Sequence, residues 1–239
     1  MKKFLLILLS AIVIITGIFI LLNMNTTTRQ GINYQWHTIR IPVYLKILDF
    51  YDRHYNYKEL VKRITNNRES KKDKVMKLFK WTCYNIKKIP EGMPVIDDHV
   101  WHIIIRGYGA PDQSSDVFTT LCNYAGAEAF YSYIYTKDKA SRIPVSFVKI
   151  KGIWSVFDPA TGIYFKDKSG NLASVEVLKS GKEYFQEFLV NEDKKEVDYK
   201  NYFAGLQLPA YIDLQRSSIQ SPFNRLVFEV KRMLIFKNE

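Results

Sequence analysis

Metal-ligating side chains cluster in one short segment, residues 97–102, which reads Asp-Asp-His-Val-Trp-His. On a helix, residues three apart share a face. Imidazole and carboxylate groups are ligands that zinc accepts. His99 and His102 are therefore a candidate metal site. The alternative is that the aspartates cap a loop and the histidines pack against the core, because no further His or Cys lies beside them. On that basis we expect no cofactor.

The serine and cysteine residues that could act as nucleophiles have less support from their positions in the sequence. Ser114 lies at the start of a predicted helix, where serine ordinarily satisfies backbone N–H groups. As a nucleophile it would also need a base. His102, nine residues before Pro111, is a further candidate catalytic residue. Cys83 and Cys122 fall inside predicted helices, away from the helix start that lowers a thiol pKa. They are either one disulfide or two buried thiols.

The elements that position these residues are helices first and strands second. Helical periodicity and stop signals predict helices over 41–67, 75–86, 99–106 and 112–125, the last ending at Gly126. Apolar and alternating segments predict strands over 127–135, 143–150 and 153–157, with a Gly-containing turn between the last two. Helices followed by antiparallel strands indicate an α+β fold.

Two segments resemble the two halves of a known active site. Segment 106–113 reads Arg-Gly-Tyr-Gly-Ala-Pro-Asp-Gln, and segment 154–159 reads Trp-Ser-Val-Phe-Asp-Pro. They resemble the Gly-x-Cys-Asp-Gln and His-(x)10-Trp-(x)3-Asp-Pro patterns of the transglutaminase-like superfamily, and the resemblance covers about residues 75–165. It implies a papain-like core with a Cys-His-Asp triad, in which the helix N-terminus and the imidazole favour the thiolate.

The resemblance departs from the family at two triad positions. Pro111 occupies the cysteine position and Ile143 the histidine position, while Asp158 keeps the acid. The family pattern also implies binding roles for three further residues, which are Trp154, Asp112 and Gln113. Proline is tolerated in the first turn of a helix, where the backbone N–H is unpaired in any case. The resemblance therefore predicts a retained fold without the Cys-His pair, although Asp-Pro is also an ordinary turn signal.

An N-terminal segment indicates a membrane anchor. Lys2 and Lys3 precede 19 uncharged residues, 4–22, with no small-x-small cleavage site after them. A run of that length is about enough to cross a bilayer as a helix, and it exceeds an ordinary signal-peptide core. We predict an uncleaved signal anchor with the lysines in the cytoplasm and the rest of the chain outside.

Charge and composition limit the partners. Without Lys2 and Lys3 the chain carries +9 of its formal +11. This favours anionic lipid or an anionic envelope polymer, or else reflects a solvated basic surface. Nucleic acid is not expected outside the cytoplasm.

The predicted organisation is an anchor at 1–25, a spacer and helical lead-in at 26–74, a transglutaminase-like domain at 75–198 and an extension at 199–239.

The extension contains a predicted basic amphipathic helix over 223–234, which would pack on the domain or on the membrane face.

The favoured function is a membrane-anchored, extracytoplasmic, catalytically inactive protein that binds a peptide or an anionic polymer, or acts as a scaffold. One alternative is an active acyltransferase or peptidase-like hydrolase that uses Ser114 or a metal at His99 and His102. Another is a structural partner in a larger membrane complex.

Overall fold

The computed structural model describes residues 2–97, 99–181, 184–188, 197–208 and 227. The predicted C-terminal amphipathic helix therefore lies outside the described residues, apart from residue 227, and so does Asp98. The described part opens with helix α1, Lys2–Asn23. Its stretch Lys3–Asn23 is long and apolar enough to cross a membrane.

A β-hairpin follows the apolar helix directly. Strand β1, Asn25–Ile32, pairs antiparallel with strand β2, Gln35–Pro42, over their whole length. The residues predicted as the start of the spacer therefore form a strand. Threonine favours extended backbone, and the partner strand β2 contains two isoleucines and a threonine, which also favour strands. A segment with a polar composition can therefore form a strand.

The helical layer and three short strands come next. The helices are α2 (Val43–Ile64), α3 (Lys71–Asn85), α4 (Val100–Arg106) and α5 (Pro111–Tyr124); the strands between them are β3 (Lys87–Lys88), β4 (Ile96–Asp97) and β5 (Tyr108–Gly109). The helices predicted from periodicity are confirmed. The Ser70 hydroxyl caps α3 by accepting from the Asp73 N–H. Gly107 ends α4 in the left-handed conformation, with φ of 74°.

Beyond α5 the chain builds an antiparallel sheet. Its strands are β6 (Ala129–Tyr135), β7 (Arg142–Ile150), β8 (Ile153–Asp158), β9 (Ile163–Asp167) and β10 (Tyr184–Phe188), in spatial order β10-β9-β8-β7-β6; helix α6 (Val175–Lys179) precedes β10, and α7 (Tyr199–Phe203) follows it. The predicted β7–β8 hairpin is confirmed. Lys151 and Gly152 take positive φ values of 51° and 83°, as the tight hairpin turn requires. The α+β fold class is confirmed.

The sheet separates two hydrophobic cores. We call them the helix-side core, under α2–α5, and the far-side core, under α6 and α7. Successive strand residues point to opposite faces, so Val148 and Phe157 enter the helix-side core while Phe147 and Val156 enter the far-side core. Cys83 and Cys122 are both buried in the helix-side core and are not joined by a disulfide, which decides between the two predicted alternatives.

Candidate functional site

The first turn of α5 is fixed by one glutamine. Gln113 Oε1 accepts from the Ala110 N–H at 3.0 Å, and Gln113 Nε2 donates to the Ile96 carbonyl at 2.7 Å. A Cβ at Gly109 would lie 3.1 Å from Gln113 Cβ and Oε1, so the glycine permits this close approach. Pro111 is the first residue of the helix, as predicted. Gln113, for which the resemblance implies a binding role, ties the helix start to β4.

Arg106 reinforces the same junction. Its guanidinium donates to the Ile96 carbonyl at 3.1 Å, and its Nε donates to the Tyr108 carbonyl at 3.1 Å. Ile96 is thus the shared acceptor of Arg106 and Gln113. The sequence does not predict this role of Ile96, because a backbone acceptor leaves no side-chain signature.

Asp112 is engaged with the sheet. Its Oδ2 accepts from the Tyr133 hydroxyl at 3.1 Å. The Arg142 guanidinium lies 4.5 Å from the centroid of the Tyr133 ring. Burial, followed by the charge and hydrogen bond of Asp112, raises the pKa of Tyr133 to about 12. The Tyr133 phenol and the Arg142 guanidinium therefore lie near the start of α5. No sequence pattern predicted either residue there.

The acid and histidine positions lie on the opposite face of the sheet. Ile143 packs against the far-side core, in register with Ile134 of β6. Asp158 lies two residues beyond Val156, which is in the same core, and its hydrogen-bond partner Tyr199 also belongs to it. Pro111 begins the helix that packs on the other face. The three predicted triad positions therefore do not share one face of the sheet.

Asp158 is the centre of a closed polar network. The carboxylate is 3% exposed, and its Oδ2 accepts from the Tyr199 hydroxyl at 2.6 Å. Its Oδ1 accepts from the backbone N–H groups of Ala160 and Thr161 at 3.0 and 3.2 Å. Burial raises the pKa of Asp158, and the donated hydrogen bonds only partly oppose this. The carboxylate holds the turn after β8 and the start of α7.

Trp154 packs at the edge of the far-side core. It is half-buried, and its ring meets Phe130 edge-to-face with centroids 5.2 Å apart. Lys149 Nζ lies 5.7 Å from the Trp154 ring. These contacts account for the tryptophan as a packing residue, whereas the resemblance implies a binding role.

The serines near the start of α5 are buried. Ser114 donates its backbone N–H to the Ala110 carbonyl at 2.9 Å, which is the first i→i−4 hydrogen bond of α5. Ser115 Oγ and Ser146 Oγ are buried without a hydrogen-bond partner in the described part of the chain. Ser146 shares its strand face with Val148 and so points toward the helices.

The histidine pair lies against α2. The ring centroids of His99 and His102 are 5.9 Å apart. Burial, and next the positive charge of Arg53, lower the pKa of His99 to about 4, while Asp49 opposes this. Arg53 is buried and forms an ion pair with Asp49. Among the described residues, which exclude Asp98, no group of three or more His, Cys, Asp or Glu side chains forms.

Comparisons with known proteins give only distant structural likenesses. No protein-family model and no curated protein sequence matches the chain. A candidate protease from Parabacteroides distasonis ATCC 8503 is 13% identical with a TM-score of 0.37, over 56% of this chain and 35% of that one. A candidate cysteine protease from Cytophaga hutchinsonii is 14% identical with a TM-score of 0.40, over 66% of this chain and 61% of that one.

A third solved structure, described as a TGase, is 12% identical with a TM-score of 0.35, over 57% of this chain and 43% of that one. In each case the chain spans less than two thirds of the solved protein. At these identities and TM-scores the likenesses carry no argument about activity. The function is therefore argued from the chain's own geometry.

Proposed function

We propose that this protein is a membrane-anchored, extracytoplasmic transglutaminase-like domain that has lost acyl-transfer chemistry and serves as a binding or scaffold module of the cell envelope. The observation that carries the proposal is the separation of the triad positions. Pro111 begins α5 on one side of the sheet, whereas Ile143 and Asp158 belong to the far-side core.

The residues at these positions also lack the required chemistry. The Pro111 ring has no group that attacks an acyl carbon, and Ile143 accepts no proton. Asp158 would have to orient an imidazole, yet its two oxygens already accept from Tyr199, Ala160 and Thr161. Each position is therefore accounted for by packing or by backbone hydrogen bonding.

The envelope location is supported by the lysines at the N-terminal end of the apolar helix. Lys2 and Lys3 lie at the N-terminal end of the candidate span Lys3–Asn23, and the positive-inside tendency keeps such residues in the cytoplasm. The folded part would then face the outside. Its formal charge of +9 favours an anionic ligand, for which we name an acidic envelope polymer or an acidic peptide.

The experiment that tests the loss of catalysis uses the full chain in mild detergent. We expect no incorporation of a fluorescent amine into casein, no cleavage of a fluorogenic peptide and no labelling by a fluorophosphonate probe. Ser114→Ala and His102→Gln are matched variants, because Ser114 and His102 are the remaining candidates for nucleophile and base. Activity in the wild-type chain that either variant abolishes would overturn the proposal in favour of a displaced active site.

A further inference from the structure

The first turns of α2 expose apolar side chains that the described part of the chain leaves uncovered. Tyr44, Leu45, Ile47 and Leu48 are 38%, 43%, 42% and 60% exposed. We call these four residues the juxtamembrane face. We propose that the juxtamembrane face lies in the headgroup layer of the membrane and binds the lipid surface as a second contact beside α1. The proposal rests on the anchor in the proposed function.

Position along the chain brings this face to the bilayer. The Val43 N–H donates to the Met24 carbonyl at 2.9 Å, so the start of α2 lies beside the residue that follows α1. A helix rises about 1.5 Å per residue, and Leu48 is therefore within about 8 Å of that start in any orientation of α2. The headgroup layer extends about 5–8 Å beyond the hydrocarbon on each side, which matches this distance.

The remainder of α2 behaves differently. Arg53, Tyr57 and Val61 are buried against the folded domain. The helix therefore passes from an exposed apolar segment, next to the anchor, to a segment with one buried face. An apolar surface continuous with a membrane span is covered most directly by the lipid at the end of that span, because a soluble environment would leave it in water.

The surrounding polar groups fit an anionic lipid surface. Lys46 lies within the same two turns, and its Nζ donates to the Thr27 carbonyl at 2.6 Å. Arg40 pairs in register with Thr27. The Lys46 ammonium group and Arg40 therefore lie at the same position along the hairpin. A lysine or arginine near an anionic membrane adds attraction, and tyrosine suits the interface because its ring is apolar and its hydroxyl is polar.

The experiment uses the full chain reconstituted in bilayers of phosphatidylcholine with phosphatidylglycerol. A nitroxide is attached at Leu48→Cys, at Ile12→Cys in α1 and at Ile153→Cys in the exposed β7–β8 turn. Labelling of the unsubstituted chain corrects for Cys83 and Cys122, which are buried. Collision rates of each label with oxygen, which partitions into lipid, and with a water-soluble nickel complex report its depth.

We expect the Leu48 label to give an oxygen-to-nickel ratio several-fold above that of the Ile153 label and below that of the Ile12 label. A Leu48 label as accessible to nickel as the Ile153 label, with the Ile12 label in lipid, overturns the juxtamembrane contact and leaves the anchor standing. A Leu48 label shielded from both reagents shows that protein covers the face and also overturns it. An aqueous Ile12 label refutes the anchor itself.

Discussion

The two faces of the central sheet hold the two halves of one sequence motif. On the helix side, Gln113 and Arg106 bind the start of α5 to the Ile96 carbonyl. On the far side, Asp158 binds Tyr199 and the turn after β8. Residues that keep the spacing of a catalytic motif are thus separated by the pleat of the sheet. Each half therefore has a structural use of its own in this fold.

The largest expected effect comes from breaking the far-side network. Asp158→Ala removes the buried carboxylate that accepts from the Tyr199 hydroxyl and from two half-buried N–H groups, so we expect a loss of about 3 kcal/mol or more in the free energy of unfolding. Tyr199→Phe removes the hydroxyl's two hydrogen bonds, to Asp158 Oδ2 and to Thr161 Oγ1, and should cost about 1–2 kcal/mol. Denaturant unfolding of the full chain in detergent, followed by tryptophan fluorescence, measures both losses.

If Asp158→Ala costs no more than Tyr199→Phe, the carboxylate is not the centre of the network. That outcome would reopen a functional role for Asp158 and weaken the contrast between the two faces.

The pH dependence of stability should differ in sign between the faces. The folded pKa of His99 is about 4, below its ordinary value of 6.5. Its contribution is therefore present above pH 6.5 and is lost as the pH falls toward 4, by as much as about 3 kcal/mol. The folded pKa of Asp158 is raised, so its contribution is largest at low pH and is lost as the pH rises through the folded value.

The measurement is the free energy of unfolding from pH 4 to pH 7 for the wild type, His99→Gln and Asp158→Asn. Relative to the wild type, His99→Gln should flatten the rise of stability with pH, and Asp158→Asn should steepen it. Shifts in the same direction for both variants would show that the two clusters do not differ as described.

Periodicity and turn chemistry were sufficient to predict much of the fold. The helix over 112–125 and the hairpin with Lys151 and Gly152 in its turn follow from local residue patterns. The β1–β2 hairpin was not predicted, because the Thr-rich sequence of β1 lacks the alternation of apolar and polar residues that a half-buried strand shows.

The candidate site was less accessible to sequence reasoning. Spacing located Pro111, Ile143 and Asp158 along the chain, but the face each occupies depends on which core its element packs against. Tyr199 lies 41 residues after Asp158, and Ile96 acts through its carbonyl, so neither partner leaves a local signal. Long-range partners of this kind are set by tertiary packing.

Restoring the two missing residues tests the separation of the faces most directly, and the expected effect is nil. In Pro111→Cys/Ile143→His the thiol would start α5 while the imidazole joined the far-side core, so thiolate formation and acyl transfer should not increase. The matched variant is Pro111→Cys/Pro144→His, because Pro144 pairs with Tyr133, whose hydroxyl reaches Asp112 at the start of α5.

The measurement is the pH profile of alkylation by iodoacetamide. Cys83 and Cys122 give little background because both are buried, and burial raises the pKa of Cys122. An imidazole beside the thiol lowers the pH at which the thiolate forms. The profile should therefore shift down only with Pro144→His. A shift with Ile143→His instead would place that position beside the helix start and would show that the triad geometry of the resembled family is available to this chain.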